Sequence, residues 1–304
     1  MLIDTDGGVD DAVAILIAVA SPEIRLIGLT TVFGNVSVDQ ATDNALRLLA
    51  LAGAEGVPVA VGADHPFTHP WSPRSGHPHG VNGLGGVRLP RSGQRAESVS
   101  AVELLSHLLH SSANPVTVCA IGPLTNIASL IATDPAAAAR IERLVVLGGS
   151  YGSWGHQAEP EFNVGSDPEA AQQVFTSGLP VTVLGLNLTR SIELEAAALA
   201  RIAASGRVGE AAATILAGRR DYGSGKRAST GVTVHDAVAV LEAITPGVLR
   251  TSDRTVTVHC GDGSERGTTR LGGQGATRPV RVAEWVDAGR AASEIETRLR
   301  SYQR

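Results

Sequence analysis

Aromatic side chains make up only 3% of the 304 residues, there are two cysteines, and among the 25 basic residues Lys226 is the lone lysine. Each scarcity excludes something. With so few rings, the interior has to be packed by Val, Leu, Ile and Ala, which favours helices laid on a sheet. Cys119 and Cys260 lie far apart and show neither metal nor redox spacing, so the expectation is core thiols in a reducing cytosol. The formal charge of -5 leaves no basic stripe to neutralise a phosphate backbone, which argues against a nucleic-acid partner. Lys226 is followed by Arg227 and lacks the glycine spacing of a P-loop. The chain opens without a basic leader, and its longest apolar run, Ala12 to Ala20, is too short to span a bilayer. A cytoplasmic protein without membrane contact is expected.

What is present points to an α/β fold. Apolar runs of strand length at Leu2-Ile3, Arg25 to Phe33, Val57 to Val61, Pro115 to Ile121, Leu144 to Leu147 and Val181 to Leu186 alternate with helix-period stretches. These stretches are Asp10 to Ala20, Val38 to Ala52, Val99 to Leu109, Thr125 to Ala132 and Pro168 to Phe175, followed by Leu194 to Ala203, Gly209 to Arg220 and His235 to Ile244. Such alternation predicts an open, mainly parallel, Rossmann-like sheet flanked by helices. Thr255 to His259, Thr268 to Leu271 and Val280 to Trp285 read as short strands around Gly-rich turns, predicting a small antiparallel C-terminal appendage before a closing helix. No linker divides the chain, so residues 1–304 are expected to form one domain. Residues 63–94 carry four histidines and five prolines; a connection that long and irregular suggests a lid or binding loop.

Directly after the first strand comes Asp4-Thr5-Asp6-Gly7-Gly8-Val9-Asp10-Asp11, four carboxylates within eight residues. The turn after a strand of an open α/β sheet is where ligands bind. Helix capping accounts for Asp10 or Asp11. It does not account for Asp4 and Asp6, whose charges repel in a partly desolvated site unless a cation or a shared proton compensates them. All-oxygen ligation points to calcium or magnesium, and calcium suits ligands drawn from several loops. Far downstream, His235-Asp236 opens another apolar helix. Alone, such a pair reads as a cap with a bystander imidazole.

Together these residues resemble the nucleoside hydrolases of the inosine–uridine type. Asp4-Thr5-Asp6-x-Gly8-x-Asp10-Asp11 looks like that family's N-terminal signature, Thr30-Thr31-Val32-Phe33-Gly34-Asn35 like its second-strand motif, and Gly122-Pro123-Leu124-Thr125-Asn126 like its central loop. Glu161-Phe162-Asn163 with Asp167-Pro168-Glu169-Ala170-Ala171 is similar to its sugar-binding segment, and His235-Asp236 to its late acid and preceding histidine. The resemblance implies calcium held by Asp6, Asp11, Asp236 and the Ile121 carbonyl, with Asp6 taking the proton of the attacking water. It implies that Asp10, Asn35, Glu161 and Asn163 bind the ribose, and that His235 protonates the departing base. His79 would line the base pocket, where the residue-level alternative is a solvated loop histidine. Tyr222 would pack on the base, where the alternative is a helix-end tyrosine. A homodimer or homotetramer acting on ribonucleosides is expected.

Three departures accompany the match. Gly7 stands where the family usually has proline. The stretch Trp154 to Pro160 lacks the Asn that relatives use for the 5′-hydroxyl, for which His156 or Gln157 could substitute. Asn187 replaces a frequent Asp and is expected to be structural. Two other readings compete: a haloacid-dehalogenase-like phosphohydrolase, imitated by Asp4-Thr5-Asp6-Gly7-Gly8, and a non-catalytic nucleoside or sugar binder. The phosphohydrolase reading fails because Gly8 stands where its Thr is expected and no acid follows Asp262 at the needed spacing. A binder needs no water-activating Asp beside a leaving-group acid.

Overall fold

The structure, a computed structural model, describes residues 1–72, 78–151, 160–219, 231–272 and 279–303. In chain order the strands are β1 (Leu2–Thr5), β2 (Gly28–Thr31), β3 (Val59–Val61), β4 (Val116–Ala120), β5 (Ile141–Leu147) and β6 (Val181–Leu184). There follow β7 (Glu193–Glu195), β8 (Gly231–Thr233), β9 (Leu249–Arg254), β10 (Val256–Val258), β11 (Thr269–Leu271) and β12 (Val280–Val286). The helices begin with α1 (Val9–Val19), α2 (Val38–Leu51), α3 (Ala101–Ser111), α4 (Thr125–Thr133), α5 (Pro135–Ala138) and α6 (Phe162–Ser166). They continue with α7 (Pro168–Thr176), α8 (Leu186–Thr189), α9 (Ala196–Ala203), α10 (Arg207–Ala217), α11 (Asp236–Ile244) and α12 (Ala288–Arg300).

The main sheet runs β3-β2-β1-β4-β5-β6-β12-β9. All its pairings are parallel except β12 with β9 at one edge. Because successive strand side chains face opposite ways, Ile3, Cys119, Ile121, Val145 and Leu147 join one apolar layer. Leu2, Val118, Ala120, Leu144 and Val146 join the other. Helix α1 is apolar on nearly every side because it lies between the sheet and a second rank of helices: Ala12, Val13, Ala14, Ile15, Leu16 and Ile17 are all fully buried.

The tail departs from its sequence reading. The strand Val280–Val286, expected in the appendage, pairs parallel to β6 and antiparallel to β9 and so extends the main sheet; only β10 and β11 form the antiparallel appendage. Leu194, expected to start a helix, sits in β7 paired with β8. Short apolar runs do not by themselves distinguish a sheet strand from a hairpin strand or a helix start. Among the described residues no helix is long and apolar enough to cross a membrane.

Strand order reverses at β1, which has β2 on one side and β4 on the other. Crevices at the carboxyl ends of such strands hold ligands, and one side chain pins this place together. Asn126 Nδ2 donates to Asp4 Oδ1 (2.8 Å) and to the Thr31 carbonyl (2.9 Å), while its Oδ1 accepts from the Ala63 amide (2.9 Å). Asp4 Oδ1 also accepts from Thr30 Oγ1 at 2.5 Å. We expect Asn126→Ala to lower the unfolding free energy by about 3 kcal/mol, since buried polar groups left without partners each cost about 1–3 kcal/mol. Urea denaturation checks this; a midpoint within error of wild type would show that the three contacts are dispensable.

Candidate active site

The carboxyl ends of β1, β2, β4 and β5 and the start of α11 converge on a cavity of about 330 Å³. Its wall includes Asp10, Asn35, His79, Ile121, Glu161, Asn163, His235 and Asp236. Asp6 and Asp11 lie fully buried in the same carboxylate cluster. The turn carrying them needs its glycines. Gly7 has φ +75°, a conformation proline cannot adopt, so glycine at this position goes with a turn that a proline here could not make. A Cβ on Gly8 would collide with Asn35 Nδ2 and His79 Nδ1, so only glycine lets these two side chains approach the loop.

The acids hold one another at high cost in charge. Both oxygens of Asp6 accept from Asn35, Oδ2 from its amide and Oδ1 from Nδ2, each at 2.8 Å. Asp11 accepts from Thr5 Oγ1 (2.5 Å) and from the Gly8 amide (2.9 Å), so the capping role read from sequence is real and coexists with its place in the cluster. Burial, and then the Asp11 charge, drive the Asp6 and Asp236 carboxyls well above the ordinary range. Burial pushes Asp10 up to about 6 against the opposing pull of Arg219. Among the described residues no three His, Cys, Asp or Glu side chains form a ready metal cage. The crowding of charge remains: the oxygens of Asp6 and Asp11 turn to amides and a hydroxyl, yet Asp236 still feels the charges of Asp11, Asp10 and Asp6.

Opposite the acids, Glu161 caps α6: its Oε1 accepts from the Asn163 amide (3.0 Å), and its Oε2 from the amides of Val164 (3.1 Å) and Gly149 (3.0 Å). Asn163 Nδ2 bridges the carbonyls of Ile121 and Leu147, both at 3.0 Å, tying the ends of β4 and β5. His235 Nδ1 lies 2.7 Å from Thr189 Oγ1. Burial, then the charges of Arg219 and Arg190, hold the imidazole down to about 3.

A family model described as inosine-uridine preferring nucleoside hydrolase matches residues 1–293. The chain belongs to the nucleoside hydrolase family. It is 39% identical over 248 residues to uridine nucleosidase 1 of Arabidopsis thaliana, covering 81% of this chain and 74% of that one. It is 36% identical over 263 residues to the pyrimidine-specific ribonucleoside hydrolase RihA of Salmonella paratyphi A, covering 85% and 83%. Among solved structures, the purine-preferring ribonucleoside hydrolase from Gardnerella vaginalis superposes with a TM-score of 0.90 at 32% identity, covering 99% and 98%. The protein is thus an N-ribohydrolase that acts on ribonucleosides.

Within this nucleoside hydrolase, the structure gathers most of the residues singled out from sequence. His79 is 7% exposed and its Nδ1 accepts from the Val9 amide at 2.9 Å, which disposes of the solvated-loop alternative. Asn187 Oδ1 accepts from the Tyr151 amide at 3.1 Å, a structural part as expected. Asp4, which a phosphohydrolase would use as nucleophile, is fully buried beneath Thr30 and Asn126 and does not line the cavity. Its carboxyl is pushed up to about 7 by burial. His156, Gln157 and Tyr222 lie outside the described residues. Sequence reasoning missed Arg219, Thr189 and Thr5. An arginine after a helix and a threonine near a strand end are ordinary; no spacing signal marks them.

Proposed function

We propose that this nucleoside hydrolase cleaves the N-glycosidic bond by Asp6-assisted attack of water on the ribose, with a calcium ion bound among the acids. One observation carries the reading: the buried carboxylates of Asp6, Asp10, Asp11 and Asp236, drawn from two distant segments, form one interacting cluster, and Asp10 and Asp236 of that cluster reach the cavity wall. Uncompensated, that much like charge resists burial. Oxygen donors without sulfur or imidazole suit a hard cation, and Asp6, Asp11, Asp236 and the Ile121 carbonyl would hold it. When bound, the ion supplies charge compensation and Lewis acidity at the attacking water.

The chain's own residues do the rest. Asp6, held by Asn35, would accept the water's proton. Asp10, Asn35 and Asn163 accept or donate to ribose hydroxyls, exchanging internal hydrogen bonds for substrate ones. Glu161, saturated by amides, is a fixed negative group facing a sugar that gains positive charge in an oxocarbenium-like transition state. His235 enters neutral. With Thr189 donating to Nδ1, its Nε2 carries the hydrogen and serves as a donor to the departing base.

Hydrolysis of inosine, adenosine, uridine and cytidine, followed by release of reducing sugar, tests the activity and ranks the bases. The relatives include both pyrimidine-specific and purine-preferring enzymes. Chelation should remove activity and calcium restore it. Calcium should also raise Tm, and by more near pH 7.5 than near pH 5.5, because its ligands must be ionised. The sign follows from Asp6 and Asp236, whose folded values lie above their unfolded ones. Such groups stabilise the metal-free fold below the unfolded value and lose that contribution as pH rises through the folded one. The cation offsets the loss only where they are ionised. Equal Tm increments at both pH values would refute an ion held by these acids.

A further inference from the structure

Arg219 follows α10 and reaches the cavity wall between Asp10 and His235. Its Nη1 donates to Asp10 Oδ1 at 2.7 Å and also to the Thr233 carbonyl at the end of β8. The two side chains are only 10% and 3% exposed. Asp10 additionally accepts from the His235 backbone amide. One guanidinium therefore ties the first turn of α1 to the segment that carries His235 and Asp236.

A buried ion pair is weak evidence for stability, since desolvation offsets much of its attraction. It still constrains orientation here, because the single Nη1 that meets Asp10 Oδ1 is itself anchored on the Thr233 carbonyl. Asp10 stands in a crowd of like charges that would otherwise turn it away. The pair leaves it on the cavity wall with its acceptor capacity only partly used. Arg219 reaches Asp10 and the Thr233 carbonyl together with one terminal nitrogen at the end of a long side chain.

We propose that Arg219 is a positioning residue for sugar recognition: it holds Asp10 as an oriented acceptor for a ribose hydroxyl and locks that carboxylate to residues 233–236. This rests on the reading of Asp10 as a ribose ligand given above.

The test is a double-mutant cycle of wild type, Asp10→Ala, Arg219→Met and the pair, scored by calorimetric ribose affinity and by kcat and KM on inosine and uridine in the calcium-loaded protein. Arg219→Met should weaken ribose binding and raise KM by about tenfold or more, with kcat changed less. The pair should be no worse than Asp10→Ala alone, because Arg219 acts through Asp10. Arg219→Lys, which keeps the charge on a shorter side chain, should fall between wild type and Arg219→Met, and it replaces Met in the cycle if that variant fails to fold. Losses that add, or a loss confined to kcat, overturn the assignment. If wild type cleaves no ribonucleoside while the ribose-binding losses remain coupled, the pairing stands and the hydrolytic reading falls; if it cleaves them and the losses add, only the pairing falls.

Discussion

Asp6→Asn should lower kcat by about 100-fold or more while leaving nucleoside affinity within a few-fold of wild type. The amide keeps the shape of the carboxylate and an oxygen for Asn35 or an ion, but it cannot take a proton from water, and deletion of a general base commonly costs 10²–10⁴-fold. A hundredfold loss is about 2.7 kcal/mol of transition-state stabilisation. Both Asp6 oxygens accept from Asn35 donors at 2.8 Å, so the isosteric amide keeps one of these bonds and sets its NH2 against the other donor, which adds a loss of stability that a melting curve reads separately from turnover. Single-turnover rates with separately measured substrate affinity check it. Near-native turnover by the variant would remove Asp6 as the base and with it the proposed chemistry.

His235→Ala should lower kcat for inosine by about 100-fold while changing the rate on p-nitrophenyl riboside by less than about tenfold. A purine can accept a hydrogen at N7 as it leaves, whereas p-nitrophenolate needs none, so only the first substrate depends on the imidazole. The environment refines what kind of help that is. With its basicity pushed down to about 3 by burial and two arginines, His235 acts as a neutral hydrogen-bond donor, and the proton that finally resides on the base comes from solvent. The inosine rate should therefore show no loss tracking deprotonation of this histidine near neutral pH. Equal losses on both substrates would make His235 a positioner of Asp236, its chain neighbour, and leaving-group activation would then belong to His79 or Tyr222.

The sequence alone determined the class of fold, most strand and helix positions and the membership of the acidic cluster. Its first-turn carboxylates, second-strand Asn35 and late His235-Asp236 are local patterns whose chemistry survives in one dimension. Hydrophobic period does the same for β1 to β6, because burial on a sheet repeats with the residues themselves. Strand partnership does not, which is why Val280–Val286 was misplaced in the appendage: pairing depends on which edge is open after the rest of the sheet has formed. The same limit hid Arg219, 209 residues from Asp10 along the chain. It also hid that Glu161 is saturated by backbone amides and that His79 receives the Val9 amide. Hydrogen-bond saturation, ion pairing and the depression of His235 are properties of neighbours in space; they come into being when the end of β1, Arg219, the end of β8 and the start of α11 meet around one cavity, and only the tertiary structure decides them.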